Sequence, residues 1–221
     1  MENSIFVYED YIINKNLYTS KNDTIKEIIE TGNPGSCIYT IENAFSYELC
    51  DNLIKYMITN KEKWKFRNIA YGNNIECNFL SIDQLKNDCN IAKKYDNEIC
   101  NNINKILSSL RNKNKYFAGY YDGGYDLRQV FGKSHCHTDG IELIGKDKNF
   151  VRCLSLIIVL NDDYDGGVYN FPNHNVSFKA KKGQAVLFPP YWTHPHEVSS
   201  VSDNQFRYTI NTWIFENIIN S

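Results

Sequence analysis

Residues 152–160 read RCLSLIIVL, and residues 161–167, NDDYDGG, follow them directly. The run from Cys153 to Leu160 is apolar on both faces, which is typical of a strand buried between two layers. The Asp and Gly residues that follow it indicate a turn. This stretch therefore predicts a buried β-strand that ends in a tight turn.

Four more β-like runs follow, and short segments rich in turn residues (FPNHN, KKG and VSDNQ) lie between them. The runs are GGVYNF (166–171), VSFKA (176–180), QAVLFP (184–189) and FRYTINTWIF (206–215). Several short antiparallel strands at this spacing are typical of a sandwich or jelly roll. We expect a mainly β fold, with residues 116–221 forming a double-stranded β-helix.

The first half of the chain has a different pattern. A helix is expected from Ser46, a plausible N-cap, to about Asn60, because Leu49, Leu53, Ile54 and Met57 share one face. A second helix is expected over about 96–110, with an isoleucine- and leucine-rich stripe. We expect residues 1–115 to support the β core, with helices packed on one sheet and residues 1–221 forming one domain.

The composition limits the functional classes. Of the 221 residues, 42% are hydrophobic, enough for a core, and 24 basic against 26 acidic side chains leave a net charge of −2. We expect no nucleic-acid partner, because the chain has no positive excess to attract phosphates. The absence of a leader-like or membrane-spanning apolar stretch predicts a soluble intracellular protein without a membrane partner. The seven cysteines lack any CxxC pair, so we expect reduced thiols.

All five histidines lie between residues 135 and 196. His137 and Asp139 stand two apart, and on a strand such residues point to the same face, so they can converge on one cation. A third ligand from the cluster that contains His194 and His196 would complete two imidazoles and one carboxylate. That set is the facial triad of non-haem Fe(II) oxygenases.

Arg207 lies at the head of the last predicted strand. An interior Arg is costly unless a carboxylate satisfies its planar fork, so an Arg beside a metal cluster suggests an anionic ligand. An exposed position at a sheet edge is the alternative.

From about residue 120 to 215, the chain resembles the prolyl-hydroxylase type of 2-oxoglutarate- and Fe(II)-dependent dioxygenases. The matching stretches are HCHTDG, RCLSLIIVLNDDYDGG, KKGQAVLFP, HPHEVSSV and RYTINTW, in the family's order. The resemblance implies a double-stranded β-helix, Fe(II), 2-oxoglutarate as cosubstrate and O2, with ascorbate as a further candidate. It also implies hydroxylation of an unactivated C–H bond, most readily that of proline in a peptide or protein partner, although small molecules are substrates of related barrels.

The resemblance assigns His137, Asp139 and His196 to the metal. His196 is preferred to His194 because Val201 follows it by five residues and Arg207 by eleven, as in the family's pattern. His194 is then expected beside the ligands, His135 at the solvent or beside them, and His174 on the surface.

The resemblance assigns Arg207 to the distal carboxylate of 2-oxoglutarate. Alternation puts Thr209, Asn211 and Trp213 on the face of Arg207, with Thr209 as a second carboxylate contact and Trp213 as a wall. Thr209 is needed because animal oxygen-sensing members have a Tyr where this chain has Val159. Two more candidates for contact with the cosubstrate are Tyr125 and Gln129.

Two alternatives remain. His135, His137 and Glu142 are similar to the first motif of a cupin, with a fourth ligand from the second His cluster. The other alternative is a non-catalytic jelly-roll binding module. Segments 64–90 and 117–133 are expected to select the substrate, but they carry no charge cluster that names it.

Overall fold

A computed structural model of the chain describes residues 26–68, 76–82, 89–141, 143–144 and 149–219. Helices α1 (Tyr47–Thr59) and α2 (Asn90–Lys113) lie in the first half. The strands are β1 (Ile29–Glu30), β2 (Tyr39–Ile41), β3 (Lys65–Asn68), β4 (Glu76–Ser81), β5 (Tyr121–Asp122), β6 (Asp126–Val130), β7 (Ser134–His137), β8 (Leu143–Ile144), β9 (Phe150–Val159), β10 (Val168–Phe171), β11 (Val176–Lys179), β12 (Ala185–Phe188), β13 (His196–Val198) and β14 (Arg207–Asn217). Short 3-10 turns span Lys61–Lys63 and Pro172–His174.

The described strands form two antiparallel sheets. The larger sheet has the order β1-β2-β12-β9-β14-β6-β4-β3, with β5 added to β14 and β8 added to β9. The smaller sheet has the order β11-β10-β13-β7. The fold is therefore mainly β with supporting helices, and it is a jelly roll, as the sequence predicted.

Strand β9 is buried on both faces, which explains its continuous apolar run. Leu154, Leu156 and Ile158 belong to the core that includes the helices, whereas Ile157 and Val159 belong to a second core with residues of the smaller sheet. Neighbouring strands β12 and β14 pair with β9 on its two edges. The strand predicted from this run is confirmed.

Helix α1 begins where the sequence predicts. The Ser46 hydroxyl accepts a hydrogen bond from the Leu49 amide at 3.2 Å, which satisfies one of the free N–H groups of the first turn. Leu49, Leu53 and Met57 are buried, and Ile54 packs against the same core.

Helix α2 is longer than the predicted 96–110, at both ends. Its buried face starts at Ala92 and includes Asp96, before the first isoleucine of the stripe. A small side chain and a buried carboxylate do not register as apolar periodicity, so the pattern hid the first turns. Among the described residues, no helix combines the length and the apolar character that a membrane crossing requires.

Candidate metal centre and its cavity

Strands β7 and β13 bring three possible ligands together. His137 at the end of β7 is the register partner of His196 at the start of β13, and their ring centroids are 4.5 Å apart. Asp139 follows β7 by two residues, and its Oδ1 lies 3.6 Å from His137 Nε2. One ligand atom from each of the three lies within 4.8 Å of the others. Two imidazoles and one carboxylate therefore face a common point.

Both histidines present the same nitrogen to that point. Nδ1 of His137 lies 2.7 Å from the carbonyl oxygen of His135, and Nδ1 of His196 lies 3.1 Å from that of His194. Because a carbonyl oxygen only accepts, each Nδ1 carries the proton. In its neutral form each ring therefore keeps Nε2 free as a metal ligand, with its orientation fixed by the backbone two residues earlier.

Two neighbours on the larger sheet hold the carboxylate of Asp139. The Ser155 hydroxyl donates to Oδ2 at 2.5 Å, and Trp213 Nε1 donates to the same oxygen at 3.1 Å. Ser155 on β9 and Trp213 on β14 are register partners, so the sheet itself sets their spacing. Arg152 NH1 also donates to the backbone oxygen of Asp139 at 2.5 Å.

The three candidate ligands influence one another's pKa values. Burial alone would raise the pKa of Asp139, but the contact with His137, the attraction of His196 when it is protonated and the Ser155 hydroxyl hold that pKa well below its usual range. Burial also opposes protonation of His137, but the contacts with Asp139 and the His135 carbonyl raise its pKa. Burial lowers the pKa of His196, against the attraction of Asp139. Asp139 is therefore ionised near neutral pH, and His196 is neutral.

A cavity opens beside these three residues. Arg207, Thr209, Asn211 and Trp213 all line it, which agrees with the single face that alternation predicts for β14. Its other lining residues come from β6, β7 and the segment after it, β9, β13 and β14: Arg128, Val130, Ser134, His137, Asp139, Ser155, Leu156, Ile157, His196, Val198 and Thr212.

Arg207 is buried in the cavity with only 6% of its surface exposed. Its NH1 donates to the Tyr169 hydroxyl at 2.8 Å, and its guanidinium carbon lies 5.4 Å from the centre of the Tyr169 ring. No carboxylate forms an ion pair with Arg207 in the part of the chain that the structure describes. The Thr209 hydroxyl donates to Asn211 Oδ1 at 2.7 Å, so it reaches any ligand as an acceptor unless it exchanges that bond.

Sequence reasoning missed three residues of this site. Tyr169 contacts Arg207 from the smaller sheet, Ser155 holds Asp139, and Arg128 lines the cavity from β6. Ser155 is the only polar residue within the apolar run LSLIIVL, and that interruption was a readable signal. The contact of Tyr169 with Arg207 joins two sheets, and no local pattern encodes it.

The structure does not bring Tyr125 and Gln129, the two further candidates for cosubstrate contact, to the cavity. Tyr125 is buried in the core with the helices and donates to Asp122 Oδ2, and Gln129 donates to the Tyr208 hydroxyl. Alternation along β6 explains the placement of Gln129, because its neighbours Arg128 and Val130 face the cavity.

The remaining histidines lie outside the three-residue cluster. His194 is buried, with Nε2 2.8 Å from the Ser36 carbonyl and Nδ1 2.8 Å from the Thr193 hydroxyl. His174 stacks on His194 with ring centroids 4.4 Å apart, and it is partly exposed in a turn whose neighbouring residues are exposed. His135 contributes its carbonyl to His137. Glu142, which the cupin alternative needs, lies outside the described residues.

Comparison with known proteins supports one class of enzyme. Residues 125–215 match the family model of the 2OG-Fe(II) oxygenase superfamily. No curated protein matches the chain in sequence.

Three solved structures share the fold. A prolyl hydroxylase from Trichoplax adhaerens, solved with a peptide fragment of the hypoxia inducible factor oxygen degradation domain, is 18% identical over 82% of this chain and 84% of its own, with a TM-score of 0.62. A viral collagen prolyl hydroxylase from Paramecium Bursaria Chlorella virus-1 is 19% identical over 82% and 97%, with a TM-score of 0.58. A prolyl-4-hydroxylase from Pseudomonas putida is 16% identical over 83% and 94%, with a TM-score of 0.57.

The β half of the chain matches the model of the 2OG-Fe(II) oxygenase superfamily and carries the three converging ligand atoms, which supports an enzyme of that type. Within the class, its fold is of the prolyl-hydroxylase type. The oxygenase interpretation of the sequence is confirmed at this level, and the superfamily implies Fe(II), 2-oxoglutarate and O2.

Proposed function

We propose that the protein hydroxylates proline in a peptide or protein, with Fe(II) held by His137, Asp139 and His196 and the distal carboxylate of 2-oxoglutarate held by Arg207. The observation that carries this proposal is the convergence of these three ligand atoms within 4.8 Å on the wall of a cavity that also contains Arg207.

The donor set fits Fe(II). Two neutral imidazoles with free Nε2 atoms and one ionised carboxylate match the facial triad, which leaves coordination positions open. Bound iron would supply the oxygen activation by which 2-oxoglutarate, O2 and a C–H group become succinate, CO2 and a hydroxylated product.

The surrounding residues of the chain orient the candidate ligands and exclude water from one side of the site. Ser155 and Trp213 fix the direction of the Asp139 carboxylate. Phe171 and Phe188 pack on the His196 ring, with centroids 5.7 Å and 4.5 Å away, and exclude water from that side. The ligands are therefore held before any metal arrives, which lowers the cost of ordering them.

Arg207 fits a carboxylate for two reasons. Its guanidinium is buried without an ion-pair partner among the described residues, and a buried cation is costly unless an anion satisfies it. Its planar fork also matches two carboxylate oxygens at once. The Tyr169 hydroxyl orients the guanidinium and has its own proton to offer.

Two features support proline in a peptide as the target. The structural relatives named above are prolyl hydroxylases, and one of them was solved with a peptide. In this chain the Gly140 amide donates to the Pro190 carbonyl, which places exposed Ile141 beside the segment that carries exposed Trp192. These apolar side chains lie on two segments that meet one residue after Asp139, and they offer a surface on which a proline ring can pack.

The experiment measures succinate release from 2-oxoglutarate with Fe(II) and a library of proline-containing peptides, and mass spectrometry locates products heavier by one oxygen atom. We expect turnover that depends on a peptide, loss of turnover in Asp139→Ala and at most a small change in His135→Ala. His135 is the matched control because it lies on the same strand outside the cluster.

Two results would contradict parts of the proposal. Oxidised peptides modified only at residues other than proline would remove the proline assignment and leave the oxygenase. Full activity of Asp139→Ala with loss of activity in His135→Ala would remove the metal assignment and favour the cupin alternative.

A further inference from the structure

The cavity contains two buried guanidinium groups. Arg128 and Arg207 each have 6% of their surface exposed, and both line the cavity beside the metal ligands. They come from the adjacent strands β6 and β14, where Arg128 is the register partner of Thr209 and Arg207 that of Val130. The two arginines therefore lie on neighbouring strands, offset from each other by two positions in the register.

The two guanidinium groups serve different ends of the cavity. Arg207 reaches across to Tyr169 on the smaller sheet. Arg128 extends toward Trp213, with its guanidinium carbon 5.6 Å from the ring centre, and the same Trp213 donates to Asp139. One positive charge thus lies at the Tyr169 end, and the other lies near the candidate metal.

The donors of Arg128 are only partly satisfied. Its NH2 contacts Asp126 Oδ2 at 3.3 Å, whereas its Nε is buried and has no hydrogen-bond partner among the described residues. An Arg has five N–H donors in a fixed fork, and leaving a buried donor unpaired costs free energy. This group is therefore poised to bind an acceptor inside the cavity.

We propose that Arg128 binds a carboxylate at the metal end of the cavity, and that this is the carboxylate next to the keto group of 2-oxoglutarate. The inference rests on the proposed function, in which Arg207 takes the distal carboxylate. 2-Oxoglutarate carries a carboxylate at each end, and the cavity offers a buried guanidinium at each end. An acidic side chain of a peptide is the other source of a carboxylate, but it would have to enter the cavity to reach a group that is 94% covered.

The test measures binding by calorimetry to the Mn(II)-loaded protein, with two ligands: 2-oxoglutarate and 2-oxopentanoate, which keeps the keto-acid end but lacks the distal carboxylate. We expect Arg128→Met to weaken both ligands equally, by at least about 30-fold, as for the loss of a buried charged partner. Arg207→Met should weaken 2-oxoglutarate alone and abolish the preference for it over 2-oxopentanoate.

Arg111→Met is the matched control. Arg111 is half-buried and, like Arg128, has a buried Nε without a hydrogen-bond partner among the described residues. It donates to the Gly119 carbonyl and stacks on Tyr120, and it does not line the cavity. We expect its affinity for both ligands to equal that of the wild type. Arg128→Lys retains the charge without the fork and should weaken both ligands equally but less than Arg128→Met, which keeps the test available if Arg128→Met does not fold.

Unchanged affinity for both ligands in Arg128→Met or Arg128→Lys would overturn the inference. If peptide-dependent turnover also fell in such a variant, the acceptor would be an acidic group of the substrate. Failure of the wild type to bind 2-oxoglutarate would instead refute the proposed function, so the two failures are distinct.

Discussion

Each candidate ligand of the metal centre is oriented by a hydrogen bond to another part of the chain. His137 and His196 are held by backbone carbonyls, which side-chain mutations cannot remove, whereas Asp139 is held by the side chains of Ser155 and Trp213. Substitution of Ser155 or Trp213 can therefore displace the Asp139 carboxylate while all three candidate ligands remain in the chain.

Replacement of Ser155 by Ala should weaken Mn(II) binding by about 10- to 100-fold, because such supporting contacts orient a ligand and tune its charge. Titration calorimetry measures the effect. Ser108→Ala is the control, since Ser108 bonds only to the Asn104 carbonyl of its own helix. Wild-type affinity in Ser155→Ala would mean that Trp213 alone orients the carboxylate.

The two neighbouring histidines should respond differently to replacement. We expect His196→Ala to lose Mn(II) binding, whereas His194→Ala should retain it. His194 is buried with both ring nitrogens engaged, so its loss should instead lower the free energy of unfolding by about 1–3 kcal/mol. Loss of the metal in His194→Ala, with retention in His196→Ala, would reverse the assignment of the distal ligand.

Metal affinity should fall as the pH decreases, and His137 should respond first. The pKa of His137 in the metal-free protein is raised above its ordinary value of about 6.5, so protons begin to compete with the metal already near neutral pH. The lowered pKa of His196 delays its competition to more acidic conditions. We expect the Kd for Mn(II) to rise about tenfold per pH unit once His137 protonates, and more steeply when His196 follows. A Kd that is constant between about pH 8 and pH 5 would contradict this order.

At the scale of elements, the clearest signals in the sequence were those of continuous or strictly spaced apolar residues. The run of β9 and the stripe of α1 predicted their elements because each buries a face that repeats with the period of its structure. The face of β6 was not predictable in this way. Its sequence, DLRQV, places apolar residues three apart, which fits neither face of a strand, so the pattern does not show that Arg128 rather than Gln129 faces the cavity.

Part of the site followed from the sequence as well. The spacing of His137 and Asp139 predicted that these two candidate ligands converge, and they do, although strand β7 ends at His137. Alternation placed Arg207, Thr209 and Trp213 together. The contact of Arg207 with Tyr169 could not be predicted, because it depends on how two sheets face each other and not on neighbours along either strand.

Helix α2 offers a test of what its buried face contributes. Ile103 is fully buried in the main core, and Ile91 on the same helix has 56% of its surface exposed. Ile103→Ala should lower the free energy of unfolding by about 2–5 kcal/mol, because it removes buried methyl groups and leaves a cavity. Ile91→Ala, the same chemical change at the surface, should stay within about 0.5 kcal/mol of the wild type. Chemical denaturation compares the two, and equal losses would contradict the packing described for α2.

At the scale of the whole molecule, two cores share strand β9. The larger core joins the helices to one face of the larger sheet, and the smaller core fills the space between the two sheets. The seven cysteines are free and are distributed from the surface to the interior of this arrangement. The rate at which each thiol reacts with a labelling reagent therefore depends on how deeply that cysteine lies in the folded molecule.

In the native protein, iodoacetamide should modify exposed Cys136 well before Cys50, Cys77 or Cys153. Cys50 and Cys77 are buried, and burial raises the pKa of the Cys50 and Cys153 thiols to about 11 and about 12, so little reactive thiolate forms. Peptide mass spectrometry after timed labelling measures each site. All seven should react together once guanidinium chloride unfolds the chain, and rapid native labelling of Cys50 would contradict the described core.

The pairing of His137 with His196 has a consequence for folding. Both residues belong to short strands, β7 and β13, whose register shifts between His196 and Val198, so hydrogen bonds alone define their alignment weakly. A slip of one residue would turn one imidazole to the opposite face and separate the ligand atoms. If the proposed ligands bind Fe(II), only the correct alignment can chelate the ion, and binding would add its free energy to that alignment alone. We therefore expect metal binding to favour the one pairing of β7 and β13 that brings the three side chains together.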